Sequence, residues 1–187
     1  MSMSSTKKLV IAAVMVAIAT ALSFIKFNAL WVNGGSFTLA SMLPIVLISF
    51  ILGWRWGLLS GLVFGLINMI TGGLYAPPTV NFINYLAEIM LDYLLAFAVI
   101  GLAEIFGKPF RNQSLKVLSG TVAALFLRFV MHFLSGILVW QALAPEGQPA
   151  WIYSIVYNGS YMLPEIVLTA VLAVLIMKLP FVKKLMG

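Results

Sequence analysis

Long apolar runs, broken by short polar or glycine-rich segments, set the organisation of this chain. Residues 1–8 form a polar head ending in Lys7 and Lys8, and residues 9–25 are then apolar apart from Thr20 and Ser23. A basic start and an apolar run also describe a cleaved leader, and Ala17-Ile18-Ala19 resembles a cleavage site. The run continues past that point, so a retained first helix is expected over 9–25. Residues 26–37, with Asn33-Gly34-Gly35-Ser36, read as a loop. A second helix is expected over 38–52, with Pro44 in its first turns, and a tight turn over 53–57. The third helix, 58–70, continues a Gly57, Gly61, Gly65 stripe at the spacing that lets helices approach closely. Thr71 to Pro78 ends it. The remaining apolar segments predict helices over 80–106, 115–140 and 151–179, with 107–116 the most polar loop and Lys183-Lys184 in the tail.

The apolar runs are about 18 to 25 residues long and lack strand-like alternation, which is the signature of membrane-spanning helices and not of a barrel. Composition agrees: 63% hydrophobic and 9% charged residues, with a mean hydropathy of +1.09, exclude a soluble domain. The expected fold is an all-α polytopic membrane protein, a single six-helix domain over residues 1–187. Nine basic residues (Lys7, Lys8, Arg55, Lys108, Arg111, Lys116, Lys178, Lys183, Lys184) fall on one side, and only Lys26 flanks the other. That bias places both termini in the cytoplasm and loops 26–37, 71–79 and 141–150 outside. It also accounts for the net charge of +6 without nucleic acid.

The chain has no Cys and one His, which excludes a disulfide framework, thiolate metal sites and a His-pair zinc site. The nearest phosphate-loop string, 101–108, has one residue too many between its glycines, and Pro109 follows its Lys. No enzyme activity, cofactor or metal is expected, and any ATP-driven work must come from another chain. The chemistry instead lies in ionisable groups inside apolar helices, where each needs a partner or a purpose. Glu88 and Asp92, four residues apart, share a face of the fourth helix; Arg128 and His132 share one on the fifth. Asp92, Arg128 and Glu165 lie about 12 to 14 residues from the cytoplasmic helix ends, near mid-membrane at about 1.5 Å per residue. Arg128 and Glu165 are expected to form an ion pair clamping two helices. Gly136, between His132 and Trp140, is expected to leave an open slot beneath the Trp ring. Trp151 reads as an interfacial anchor, whereas Asn158 and Tyr161 lie too deep for one. Aromatic walls with a carboxylate, an imidazole and an amide suit a flat organic cation or heteroaromatic ligand.

Three sets of residues also carry a family resemblance. They are Gly34-Gly35-Ser36 through Pro44; Leu91-Asp92-Tyr93 through Phe97; and Arg128 through Gly136, Ala144 to Gly147, Trp151 to Ser154 and Tyr157 to Pro164. Over essentially its whole length the chain resembles the thiamine-specific substrate-binding subunits (S components) of energy-coupling factor (ECF) transporters. The resemblance implies a six-helix membrane protein that captures thiamine from outside. It implies assembly with a transmembrane coupling subunit and two ATPase subunits, and import by toppling of the subunit in the bilayer. The ligand positions it implies are Asp92, Tyr93, His132, Gly136, Trp140, Tyr153 and Asn158. Trp31 is its candidate for an aromatic from the first outer loop, and Glu88 joins the set as the second acid. The stripe Ala13, Ala17, Ala21 resembles the motif through which these subunits meet the coupling subunit, and the residues alone leave internal packing equally open. Loop 141–150, restricted by Pro145, Gly147 and Pro149, is a candidate gate. Two alternatives stand beside this reading: an S component for another vitamin or a thiamine precursor, and a stand-alone proton-coupled carrier using Glu88, Asp92 and His132 as a relay.

Overall fold

In a computed structural model of the chain, residues 3–27 and 35–186 are described; Trp31, Asn33 and Gly34 lie outside them. The first helix, α1 (Ser5–Ser23), is capped by the Ser4 side chain, which accepts from the Lys7 backbone N–H. It buries Ala12, Val16 and Ala19 against the bundle. Leu9, Val10, Val14 and Ile18 face outward, which a lipid environment tolerates and water does not. Ala13, Ala17 and Ala21 lie on the same exposed side, so they are not packed against the described residues.

The expected loop 26–37 has an antiparallel ribbon at its base. Strands β1 (Lys26–Phe27) and β2 (Phe37–Thr38) pair with Lys26 opposite Thr38, and the Phe27 and Phe37 rings stack 6.0 Å apart. Helix α2 (Leu43–Leu52), with Pro44 in its first turn, is the core of the molecule: Ile45, Val46 and Ile48 are fully buried. It ends at Gly53, whose φ of 97° a residue with a side chain rarely adopts. Helix α3 (Trp54–Gly72) starts at the next residue, so the expected turn over 53–57 contracts to one glycine. The physical reason is tertiary: the Glu104 carboxylate, from a distant helix, accepts from the Trp54 backbone N–H at 3.0 Å and caps α3.

The glycine stripe of α3 lies directly on the backbone of α4 (Phe82–Gly107). A Cβ at Gly61 would fall 2.3 Å from the Phe97 carbonyl oxygen, and one at Gly65 2.7 Å from that of Tyr93. Helix α4 is capped by Asn81 and is not uniform: it is α-helical over Phe82–Glu88, winds as a π turn over Ile89–Leu94, and tightens to 3-10 over Val99–Leu102. Ser49 bridges the irregular part, donating to the Gly101 carbonyl at 2.6 Å and accepting from the Glu104 N–H at 2.9 Å. The regular helix expected over 80–106 is therefore interrupted, and the interruption carries Asp92 and Tyr93.

Helix α5 (Gln113–Leu138) is capped by Asn112 and buries Ala124, Leu125, Arg128, His132 and Ser135, a stripe at three- and four-residue spacing. It ends before Trp140, which the sequence pattern put on the helix; the chain turns there into a short 3-10 segment, Gln141–Leu143. Helix α6 (Ala150–Met177) contains Pro164 and packs along α5, and α7 (Pro180–Met186) follows it, burying Val182. Among the described residues four helices are long and apolar enough to cross a membrane: Ser5–Ser23, Phe82–Gly107, Gln113–Leu138 and Ala150–Met177. At 10 residues α2 is too short to span hydrocarbon alone.

Candidate functional site

Asp92 is the centre of the site. In a π turn each backbone bond skips one residue further than in an α-helix, which rotates the side chains of the bulge relative to the flanking turns. From there the Asp92 carboxylate reaches α5 and the turn after it. Oδ1 accepts from His132 Nδ1 at 2.9 Å; Oδ2 accepts from Ser135 Oγ at 2.5 Å and from Trp140 Nε1 at 3.0 Å. Where Asp92 is the acceptor of this bond, His132 carries its proton on Nδ1, and Nε2 is the second ring nitrogen. His132 Nε2 is buried and has no hydrogen-bond partner among the described residues.

The opposite wall comes from α6. Tyr153, Tyr157 and Tyr161 recur every four residues and so share one face. The rings of Tyr153 and Tyr157 stack 5.6 Å apart, Tyr157 meets Tyr161 edge-on at 6.0 Å, and Tyr161 meets His132 edge-on at 6.3 Å. Asn158 ties the two walls together. Its amide donates to the His132 carbonyl at 3.3 Å and to Ser154 Oγ at 3.1 Å, while its oxygen accepts from Tyr161 at 2.6 Å. The third wall belongs to α4 and the segment before it. Tyr93 donates its hydroxyl to the Gly73 carbonyl at 2.9 Å, and Glu88 Oε1 accepts from the Tyr75 N–H at 3.1 Å.

These walls enclose a cavity of about 180 Å³. Of the residues singled out in the sequence, Glu88, Asp92, Tyr93, His132, Trp140, Tyr153 and Asn158 all line it. Leu143, from loop 141–150, lines it too, as do Asn68 and Tyr75, which the sequence pattern did not flag. Ser135, the third partner of Asp92, was missed as well, although its place three residues after His132 puts it on the same helical face.

Two expectations are corrected. Gly136 opens no slot beneath Trp140. A Cβ there would lie 2.1 Å from Ser154 Oγ and 2.7 Å from Ser154 Cβ, so the glycine is where α5 and α6 touch. Nor do Arg128 and Glu165 form an ion pair among the described residues. Glu165 is fully buried and its carboxylate accepts from the Thr38 N–H at 2.7 Å and the Thr38 hydroxyl at 2.8 Å, anchoring the end of β2 to α6. The Arg128 guanidinium instead donates to the Met42 sulfur and lies over the Phe97 ring, 4.4 Å from its centroid. Arg128 lines the cavity, with Lys26 as the second cation there. Trp31 lies outside the described residues.

Such a cavity suits a small, flat organic ligand with cationic and hydrogen-bonding parts: aromatic faces for stacking and cation–π attraction, carboxylates for counter-charge. Among the described residues no group of three His, Cys, Asp or Glu side chains converges.

Comparison with known proteins gives this geometry a family. The model of the thiamine transporter protein family (Thia_YuaJ) matches residues 9–184. The chain is 35% identical over 183 residues to the thiamine transporter ThiT of Bacillus subtilis, covering 92% of each chain. It is 29% identical over 185 residues to ThiT of Lacticaseibacillus paracasei, covering 90% of this chain and 87% of that one. The solved structure of ThiT from Listeria monocytogenes superposes with a TM-score of 0.75 at 27% identity, covering 97% of both chains. The solved S component of a bacterial ECF transporter shares the fold, with a TM-score of 0.60 at 17% identity, covering 97% of this chain and 96% of that one. A match that runs through nearly every helix, and takes in all three walls of the cavity, makes this chain a member of the thiamine transporter protein family.

Proposed function

We propose that this chain is the thiamine-binding subunit of an ECF-type ATP-driven importer in the cell membrane, capturing thiamine from outside. The observation that carries this reading is the Asp92 hub, which accepts from His132, Ser135 and Trp140 of another part of the chain, beside a cavity lined by five tyrosines. Thiamine combines a permanently cationic thiazolium with a flat aminopyrimidine. Trp140 and the tyrosines offer ring faces, and Asp92 and Glu88 offer counter-charge. Tyr93 and Asn158 fix the walls. Gly136 contributes by letting α5 and α6 meet, not by touching the ligand.

In this reading all six helices α1 to α6 cross or line the bilayer as one domain, with both termini cytoplasmic. The distribution of Lys and Arg supports that orientation. Energy comes from two ATPase subunits acting through a transmembrane coupling subunit. The exposed Ala13, Ala17 and Ala21 of α1 support that surface as the contact, because small side chains let a partner helix approach closely.

The test is titration of intrinsic Trp fluorescence in the detergent-purified chain with thiamine. Saturable quenching or enhancement is expected, because Trp140 lines the site. Asp92→Asn, Trp140→Ala and Asn158→Ala should each weaken binding at least about tenfold, the scale of one lost charge-assisted bond or stacking contact. Unaltered titrations in all three variants would refute the assignment.

A further inference from the structure

A threonine inside a helix can spend its hydroxyl on the carbonyl one turn back, and this chain does so elsewhere. Thr20 donates to the Val16 carbonyl at 2.9 Å and Thr71 to that of Ile67 at 2.8 Å; Ser119 does the same to Leu115 at 2.7 Å. Thr121 of α5 and Thr169 of α6 depart from that habit. Both are 0% exposed, and the Oγ1 atom of each is buried without a hydrogen-bond partner among the described residues. Val117 and Leu125, one turn away on α5, and Ala173, one turn away on α6, are fully buried as well. The two hydroxyls therefore stand in hydrocarbon. A hydroxyl left unsatisfied in such surroundings lowers stability, and native interiors rarely keep one.

The two threonines belong to one layer. Helices α5 and α6 pack antiparallel, and two contacts fix their register: Gly136 lies against Ser154, and the Asn158 amide donates to the His132 carbonyl. Between these contacts, four residues back along α5 match four residues forward along α6. The same register carried 11 residues beyond His132 and Asn158 sets Thr121 against Thr169. That is roughly 16 Å along the helix axis from His132, and neither threonine lines the cavity. We propose that one water molecule is bound between Thr121 and Thr169 and joins α5 to α6 at this layer. Each hydroxyl donates and accepts, as water does, so a single bridge satisfies both Oγ1 atoms. A cation does not fit this donor set of two neutral hydroxyls. Glu165, the acid one turn away on α6, spends both carboxylate oxygens on Thr38. The bridge is a second tie between the helices, remote from the Ser154 and Asn158 tie, and it holds whichever ligand the cavity takes.

The test has two arms. A crystal structure of the wild-type chain at about 2 Å or better is expected to show an ordered oxygen about 2.5–3.2 Å from both Oγ1 atoms. Thermal unfolding of detergent-purified wild type, Thr121→Val, Thr169→Val and the double variant reads the coupling, since valine keeps the shape of threonine and removes the hydroxyl. Each single variant leaves one hydroxyl and the water short of a partner, and should lower Tm by about 2–6 °C. The double variant releases the water and sets methyl against methyl, so its Tm should fall no further than that of the less stable single.

Losses that add in the double variant, or single variants as stable as wild type, would mean that each hydroxyl serves its own helix and would overturn the proposal. Density that puts Oγ1 of Thr121 on the Val117 carbonyl and Oγ1 of Thr169 on the Glu165 carbonyl overturns it too. So does a direct bond between the two hydroxyls with no oxygen between them. If a variant cannot be purified, the wild-type density alone decides.

Discussion

A single methyl group at position 136 separates two views of how the cavity is built. Gly136 faces Ser154 across the α5–α6 contact, and a Cβ at 136 would stand 2.1 Å from Ser154 Oγ. That is roughly 1.3 Å short of the 3.4 Å at which ordinary contact begins. Ser154 cannot simply turn away. Its hydroxyl donates to the Phe133 carbonyl at 2.9 Å and accepts from Asn158 at 3.1 Å, so a flip sacrifices bonds that tie the helices together. Gly136→Ala should therefore either part α5 from α6 or break that network, an overpacking cost of about 1–3 kcal/mol. For a chain of this size the cost corresponds to a fall of about 2–12 °C in Tm. The assay is thermal unfolding of the ligand-free, detergent-purified variant, followed by thiamine titration. Adding Ser154→Gly removes both clashing atoms and should recover part of the loss, giving a positive coupling between the two sites. An unchanged ligand-free Tm, together with lost thiamine affinity, would refute this reasoning and restore an open slot beneath Trp140.

Two further outcomes follow from the fold. Ala17→Leu, on the exposed face of α1, should leave thiamine titration unchanged but abolish co-purification with the coupling subunit and uptake in cells; intact uptake would exclude that face as the contact. Thr38→Val should cost about 1–3 kcal/mol in thermal unfolding, because the buried Glu165 carboxylate loses its hydroxyl donor and keeps only the Thr38 N–H. The same loss from an Arg128→Met exchange, with Thr38→Val silent, would instead support an ion-pair clamp.

Much of the site was legible because its residue types are out of place in hydrocarbon. Asp92, His132 and Asn158 stand out in any apolar helix, and the four-residue spacing of Tyr153, Tyr157 and Tyr161 identifies one face. Periodicity fails where the helix itself departs from regular winding. The π turn over Ile89–Leu94 leaves no mark in the order of apolar residues, yet it orients Asp92. Trp140 lies just past the end of α5, where no glycine or proline marks the stop. Arg128 and Glu165 matched in depth and opposed in charge, which made a pair plausible on paper. Their neighbours compete for them: the Thr38 backbone and hydroxyl take Glu165, while Met42 and Phe97 take Arg128.

The sequence by itself determined that this is a helical membrane protein with a few costly polar groups. Those properties are sums over residues and need no knowledge of contacts. The tertiary structure decided which groups share which lone pairs: Asp92 holding three donors, Glu88 Oε2 without one among the described residues, Gly136 pressed against Ser154. Hydrogen bonds are decided within a few tenths of an ångström, and that precision depends on the axial register and winding of packed helices, which no single helix's periodicity contains.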